Sequence, residues 1–195
     1  MSKPVRSSTY SKTPQAGLRA LLRADEIQER VKSLAAEISR DYGHGNPLIV
    51  AVLKGAFVFL ADLIRYMDSP VEIEFIRLAS YGPKTQPSGE VKTVSDLVTP
   101  VEGRDVLIVE DIVDTGYSLE FLTRLLRERG AKSVRTCSLL DKPSRRVADV
   151  TLDYIGFVIP DVFVVGYGID YSEHYRNLPD IYAINTDDGE ESRES

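Results

Sequence analysis

Residues 105–119 read Asp-Val-Leu-Ile-Val-Glu-Asp-Ile-Val-Asp-Thr-Gly-Tyr-Ser-Leu. The apolar run Val106–Val109 is too short for a helix and rich in β-branched residues, which predicts a buried strand. Two acids follow at once, Glu110 and Asp111, and a third, Asp114, introduces Thr115-Gly116-Tyr117-Ser118. Leu119, Leu122, Leu125 and Leu126 then recur at helical spacing up to Arg129, where Gly130 is a natural stop. The order is strand, acidic turn, hydroxyl-rich turn, helix, which is the grammar of an α/β domain with a mainly parallel sheet.

In such sheets ligands sit beyond the carboxyl ends of the strands. The start of the next helix offers unpaired backbone N–H groups and a positive dipole end, which suits a phosphate. Thr115 and Ser118 add hydroxyls, and Gly116 lets the backbone approach closely. Adjacent carboxylates suit vicinal sugar hydroxyls or a hydrated divalent cation. The stretch therefore fits a phosphorylated sugar. It is no P-loop, because the Gly-Lys-Ser/Thr ending is missing, and no dinucleotide fingerprint, because it holds a single glycine.

The chain has 195 residues, 43% hydrophobic and 28% charged, which describes one ordinary globular domain. A formal net charge of -6 argues against general nucleic-acid affinity. The longest apolar run, Leu48–Ile64, is broken by Lys54 and Asp62, so no membrane span is expected. The single cysteine, Cys137, reads as a buried apolar residue of a strand, and its solitude fits a reducing, cytoplasmic compartment.

Residues 1–23 carry basic residues and no acid, and read as a flexible basic arm. A single domain is expected over 24–186, followed by an acidic, disordered tail over 187–195. An amphipathic stripe of Ile27, Val31, Leu34, Ala35 and Ile38 predicts a helix over 24–42, ended by a breaker cluster in which His44 is a solvent-exposed turn residue. Further strands are expected at 48–53, 71–80, 133–140, 154–159, 162–167 and 181–184, with a helix over 56–67. Lys54-Gly55, at the end of a buried strand, is placed for an anion. Residues 80–90 are rich in Gly, Pro and hydroxyl side chains and read as a mobile surface loop. Arg145 and Arg146 read as a solvated charged loop, and His174 as structural.

The run Val-Leu-Ile-Val-Glu-Asp-Ile-Val-Asp-Thr-Gly resembles the phosphoribosyl pyrophosphate (PRPP) motif of the type I phosphoribosyltransferases, in their 6-oxopurine (hypoxanthine-guanine) branch. Three more segments resemble the family in the same order: Leu53-Lys54-Gly55, the run Leu-Leu-Asp-Lys-Pro ending at Pro143, and Ile-Pro-Asp-Val-Phe-Val-Val-Gly-Tyr-Gly-Ile-Asp-Tyr over 159–171. The resemblance implies a central, mainly parallel sheet flanked by helices, with a small hood formed by terminal segments. It implies transfer of the phosphoribosyl group to hypoxanthine or guanine with Mg2+, in a homodimer or homotetramer.

By the same resemblance Glu110 and Asp111 hold the ribose hydroxyls and, with Asp170, the metal, while Thr115, Gly116, Tyr117, Ser118 and Leu119 hold the 5′-phosphate. Tyr117 stands where some members carry a polar or basic residue, and contributes its backbone. Lys54, Gly55 and Arg176 meet the pyrophosphate, and the peptide bond before Lys54 can be cis. Asp114 is the general base or acid at the purine ring. Lys142 donates to the 6-oxo group, a donor-only side chain that selects against adenine. Phe163 stacks on the purine and the backbone of Val164 pairs with its edge, although on pattern alone Phe163 reads as core. Ser80-Tyr81-Gly82 resembles the catalytic lid, which shields a reactive sugar cation from water. Two readings stay open beside this one: a xanthine-preferring transferase, and a nucleotide-sensing regulator on the same fold.

Overall fold

A computed structural model describes residues 17–43, 45–81 and 90–184. The elements in chain order are β1 (Leu18–Leu22), α1 (Ala24–Tyr42), β2 (Leu48–Leu53), α2 (Phe57–Arg65), β3 (Glu72–Tyr81) and β4 (Glu90–Ser95). They continue with β5 (Asp105–Val113), α3 (Tyr117–Glu128), β6 (Ser133–Asp141), a single 3-10 turn (Pro143–Arg145), β7 (Tyr154–Val158), β8 (Phe163–Val165) and β9 (Ile181–Ile184). Six strands form one sheet in the order β4-β3-β2-β5-β6-β7, parallel except for the edge strand β4. The other three form a small antiparallel sheet, β1-β9-β8. This is the α/β architecture the sequence predicts, with the small sheet as the hood.

The continuous apolar runs are explained by burial on both faces. Successive side chains of a strand point to opposite faces. Ile49, Ala51, Leu107 and Val109 thus join one core with α1 and α2, while Leu48, Val50, Val52, Val106 and Ile108 join a second core with α3. The predicted stripe of α1 is fully buried, and Cys137 lies in the first core, where burial pushes its thiol pKa up. Arg30 of α1 donates to the carbonyls of Ile155 and Gly156, tying that helix to β7.

Beyond shifts of one or two residues at the ends of elements, three expectations are corrected. The basic arm does not run to residue 23, because Leu18–Leu22 pairs antiparallel with β9 and Leu21 and Leu22 pack on the core. The sequence Leu-Arg-Ala-Leu-Leu lacks a period of two, so pattern reading passes over it. The polar stretch expected to be loop ends in a strand, β4, which pairs with β3 alone; an edge strand with an exposed Val94 leaves little alternation to read. β8 stops at Val165 instead of reaching residue 167, because Gly166 and Gly168 take positive φ angles of 103° and 99° and turn the chain. Residues 1–16, His44, the segment 82–89 and the tail lie outside the described residues.

Phe59 of α2 is fully buried in the first core. Phe59→Ala is expected to lower stability by about 3–5 kcal/mol, read as a lower urea midpoint with an unchanged m-value.

Candidate functional site

The register of the parallel strands brings their carboxyl ends together. Ala51 of β2 lies beside Val109 of β5, Val113 beside Asp141 of β6, and Asp141 beside Val158 of β7. Lys54-Gly55, Glu110-Asp111, the turn 114–118, Lys142 and the approach to Phe163 therefore share one end of the sheet, where ligands of α/β proteins bind. The Leu53–Lys54 peptide is cis.

The acid pair sits at the floor. Gly55 rests against the Asp111 carboxylate so closely that a Cβ on Gly55 would stand 1.8 Å from Asp111 Oδ2. Only glycine fits there. Glu110 is 6% exposed. Burial, and then the neighbouring Asp111, hold its pKa well above the usual carboxylate range. Burial also raises Asp111, to about 6, against backbone and Glu110 hydrogen bonds that favour its charged form. Burial thus disfavours the charged form of two adjacent carboxyl groups beyond an apolar run, where a ligand's hydroxyls or a hard cation can discharge the conflict.

Above the acids the chain turns through Gly116, whose φ of 89° is left-handed, into α3. No side chain caps this helix start, so its first N–H groups remain for a ligand. A cavity of about 230 Å3 opens there, lined by Glu110, Asp114, Thr115, Gly116, Ser118 and Leu119 among others.

Arg145 is exposed as the sequence suggests, yet paired, and Arg146 is drawn in from the solvent. Arg145 Nε donates to Asp114 Oδ1 at 2.9 Å, and its guanidinium lies 3.6 Å from Asp161. Arg146 is 18% exposed at its side chain, pairs with Asp141 and donates to the Asp114 carbonyl at 3.1 Å. The backbone N–H groups of Val147 and Ala148 also donate to the Thr115 carbonyl. Residues 142–148 thus form a strap over the turn 113–115. Two arginines in a polar Pro-Ser segment give no sequence signal for this, because their partners are about 30 positions away.

On the other flank, Lys54 Nζ lies 2.9 Å from both carboxylate oxygens of Glu173. Arg176 reaches Asp170 at 2.8 Å, Glu173 at 3.2 Å and the Gly168 carbonyl at 2.9 Å. The Glu173 N–H donates to Asp170 Oδ2. Glu173 is a further residue that sequence reading missed; its signal was the positive φ of 67°, which a sequence does not display. His174 lies in the same turn, where its backbone bridges Tyr171.

Lys142 is 7% exposed, and burial lowers its pKa. Its Nζ stands 5.9 Å from the ring centre of Phe163. Phe163 is 60% exposed, against the core reading of its pattern, and meets Tyr171 edge-on at 6.5 Å. Val164 is buried in β8, which among the described residues pairs with β9 alone in the hood sheet. Ser80 and Tyr81 end β3 with their backbones paired to β4, and the remainder of the expected lid lies outside the described residues.

Among the described residues no three His, Cys, Asp or Glu side chains form a metal cage. The oxygen donors present, Glu110, Asp111 and Asp170, fit a hard cation that takes its other ligands from a substrate and water. A larger hollow of about 560 Å3 lies elsewhere, between α3 and residues 149–153; its lining mixes Arg124 and Arg127 with Asp149 and Asp153 and includes none of the site residues above. No helix among the described residues is long and apolar enough to cross a membrane.

The sequence matches the phosphoribosyl transferase domain family over residues 18–172. It is 53% identical over 161 residues to a hypoxanthine-guanine phosphoribosyltransferase of Bacillus subtilis, covering 83% of this chain and 89% of that protein. The structure resembles that of a Staphylococcus aureus hypoxanthine phosphoribosyltransferase with a TM-score of 0.85 and 42% identity, over 89% of this chain and 95% of the other. It resembles that of a Bacillus anthracis hypoxanthine-guanine phosphoribosyltransferase with a TM-score of 0.82 and 46% identity, over 86% and 98% of the two chains.

The acid pair sets a pH dependence in the ligand-free chain. Both groups have folded pKa values above their unfolded ones, so the stability they allow is full below about pH 4; the Asp111 share is lost as pH rises through about 6, and the Glu110 share as pH rises through its own raised pKa. Glu110→Gln removes the conflict. In metal-free buffer at pH 7.5 the variant is expected to be more stable than the parent by about 1–3 kcal/mol, with the gap closing at pH 4.5. Paired urea titrations at the two pH values check this, and an equal gap at both would contradict it.

Proposed function

The chain belongs to the phosphoribosyltransferase family, and we propose that it is a purine-salvage enzyme joining hypoxanthine or guanine to PRPP, with IMP or GMP and pyrophosphate as products. The observation that carries this is the seating of Gly55 on the Asp111 carboxylate. It sets an anion-binding loop, Lys54-Gly55, directly against a hydroxyl-binding acid pair, which is what a sugar bearing a pyrophosphate at its anomeric carbon requires.

In this reading Glu110 and Asp111 accept hydrogen bonds from the ribose hydroxyls. The N–H groups of Thr115 to Leu119 and the Thr115 and Ser118 hydroxyls hold the 5′-phosphate at the start of α3. Lys54, the Gly55 backbone and Arg176 neutralise the pyrophosphate. Mg2+, held by Glu110 and Asp111 with Asp170 near its waters, would supply further charge neutralisation on the leaving group. Phe163 offers an exposed face for stacking, Val164 its backbone in an edge strand, and Lys142 a buried donor for the 6-oxo group.

The bond from the anomeric carbon to pyrophosphate breaks as the purine nitrogen bonds to that carbon, and the purine's N–H proton passes to Asp114. The positive charge that develops on the sugar is stabilised by the carboxylates around it. Arg145, bonded to Asp114 Oδ1, holds the base in place. The residues over 80–90 serve as the lid. The enzyme is cytoplasmic and assembles as a homodimer or homotetramer.

Purified protein given PRPP and Mg2+ is expected to form nucleotide from hypoxanthine and guanine and none from adenine, with xanthine ranked in the same assay; comparable turnover of adenine would reject the assignment. Asp114→Asn is expected to lower turnover about 10²-fold or more. Near-parent turnover in that variant, measured by nucleotide formation, would remove Asp114 from proton transfer.

A further inference from the structure

Tyr167 stands between Gly166 and Gly168, itself with a positive φ of 49° and only 5% exposed. An aromatic residue in that backbone region is strained unless its surroundings hold it. Its hydroxyl donates to Asp62 Oδ2 at 2.7 Å, and burial raises its pKa. Gln28 of α1 donates to the same oxygen at 2.6 Å, and Arg65 lies 3.2 Å from the other. Asp62 belongs to α2, the helix that follows Lys54-Gly55 almost at once.

The turn around Tyr167 touches both halves of the cationic flank. Gly168 packs on the Gly55 carbonyl, where an added Cβ would come within 2.4 Å. The Gly168 N–H donates to the Arg176 carbonyl, and the Gly168 carbonyl accepts from the Arg176 guanidinium, both at 2.9 Å. The connections therefore close on themselves. Gly55 leads into α2, Asp62 of α2 holds Tyr167, Tyr167 fixes Gly168, and Gly168 bears on Gly55 and on Arg176. Within this circuit the Tyr167–Asp62 hydrogen bond adds a directional tie to the apolar packing between α2 and the turn.

We propose that Asp62 and Tyr167 are positioning residues for the pyrophosphate half of the site, setting the spacing between the Lys54-Gly55 loop and Arg176. The proposal rests on the assignment of Lys54, Gly55 and Arg176 to pyrophosphate. Neither side chain touches substrate. Their loss leaves the purine slot around Lys142 and Phe163 and the proton acceptor Asp114 in place, because those are held by the strap 142–148 and by the hood.

The test is steady-state kinetics of Tyr167→Phe, Asp62→Ala and the double variant, each first confirmed as folded by circular dichroism. The expected result is a KM for PRPP, and for pyrophosphate in the reverse direction, raised about 5–10-fold, while kcat and the KM for hypoxanthine stay within about 2-fold. The double variant is expected to be no worse than Asp62→Ala alone, since the bond that Tyr167→Phe removes is already lost in Asp62→Ala. A role in folding alone would instead lower the melting temperature without moving the KM for PRPP, or raise both KM values together; either result overturns the proposal. Lys54→Ala serves as the control. If it raises the KM for PRPP while Tyr167→Phe does not, the positioning role alone fails. If it leaves that KM unchanged, the pyrophosphate assignment fails and the proposal falls with it.

Discussion

Glu110 and Asp111 follow the buried run Val106–Val109 in β5, and Gly55 is pressed against the second of them. That contact constrains much of the rest. A carboxylate so placed has no room to turn away, and the loop that confines it can hold no side chain at Gly55. The neighbouring strands β2 and β5 must stop within a residue or two of each other for it to exist, which their parallel register ensures. Crowded, buried acids are costly to a sheet by themselves, which is why such a pair marks a candidate binding site.

Around that floor each loop has its own anchor. The strap 142–148 is locked by Arg146 and by backbone bonds to the Thr115 carbonyl. The Gly166–Gly168 turn is locked by Tyr167 on Asp62, and the start of α1 by the Ala24 N–H on Asp180. On the exposed rim, the Lys54–Glu173 and Arg176–Glu173 pairs give the cations a resident partner. The solvent-facing Lys54–Glu173 pair is worth little, whereas Arg176, with its side chain 19% exposed, is held by Asp170 as well. Buried ties fix the geometry, and weak exposed ones keep it charged and ready.

Where the sequence carries strong periodicity and clear breakers, its reading coincides with the structure residue for residue: α1 at Ala24–Tyr42, β2 at Leu48–Leu53 and β9 at Ile181–Ile184. β1 and β4 escaped because neither is a face of alternating residues; each is defined by the partner it pairs with. The acids, Lys54-Gly55 and the hydroxyl turn were legible as chemistry because they occupy strand ends and a helix start. Lys142 and Phe163 were legible through family resemblance alone. Arg145 with Asp114 and Tyr167 with Asp62 were not legible at all, since those partners stand 31 and 105 positions apart and local pattern says nothing about pairs so distant.

The hood unites Leu18–Leu22 with Ile181–Ile184. During synthesis from the amino terminus, β1 must wait for nearly the whole chain before its partner exists. The six-stranded sheet, complete by Val158, can condense earlier, since domains gain their structure as segments emerge. β8, which carries Phe163 and Val164, also pairs with β9. Until β9 is made, the sheet that bears Glu110, Asp111 and the turn 114–118 has its strands, while the hood wall beside it lacks the strand that β1 and β8 both pair with. The pairing that β9 offers, rather than formation of the six-stranded sheet, is what sets the wall that carries Phe163 and Val164.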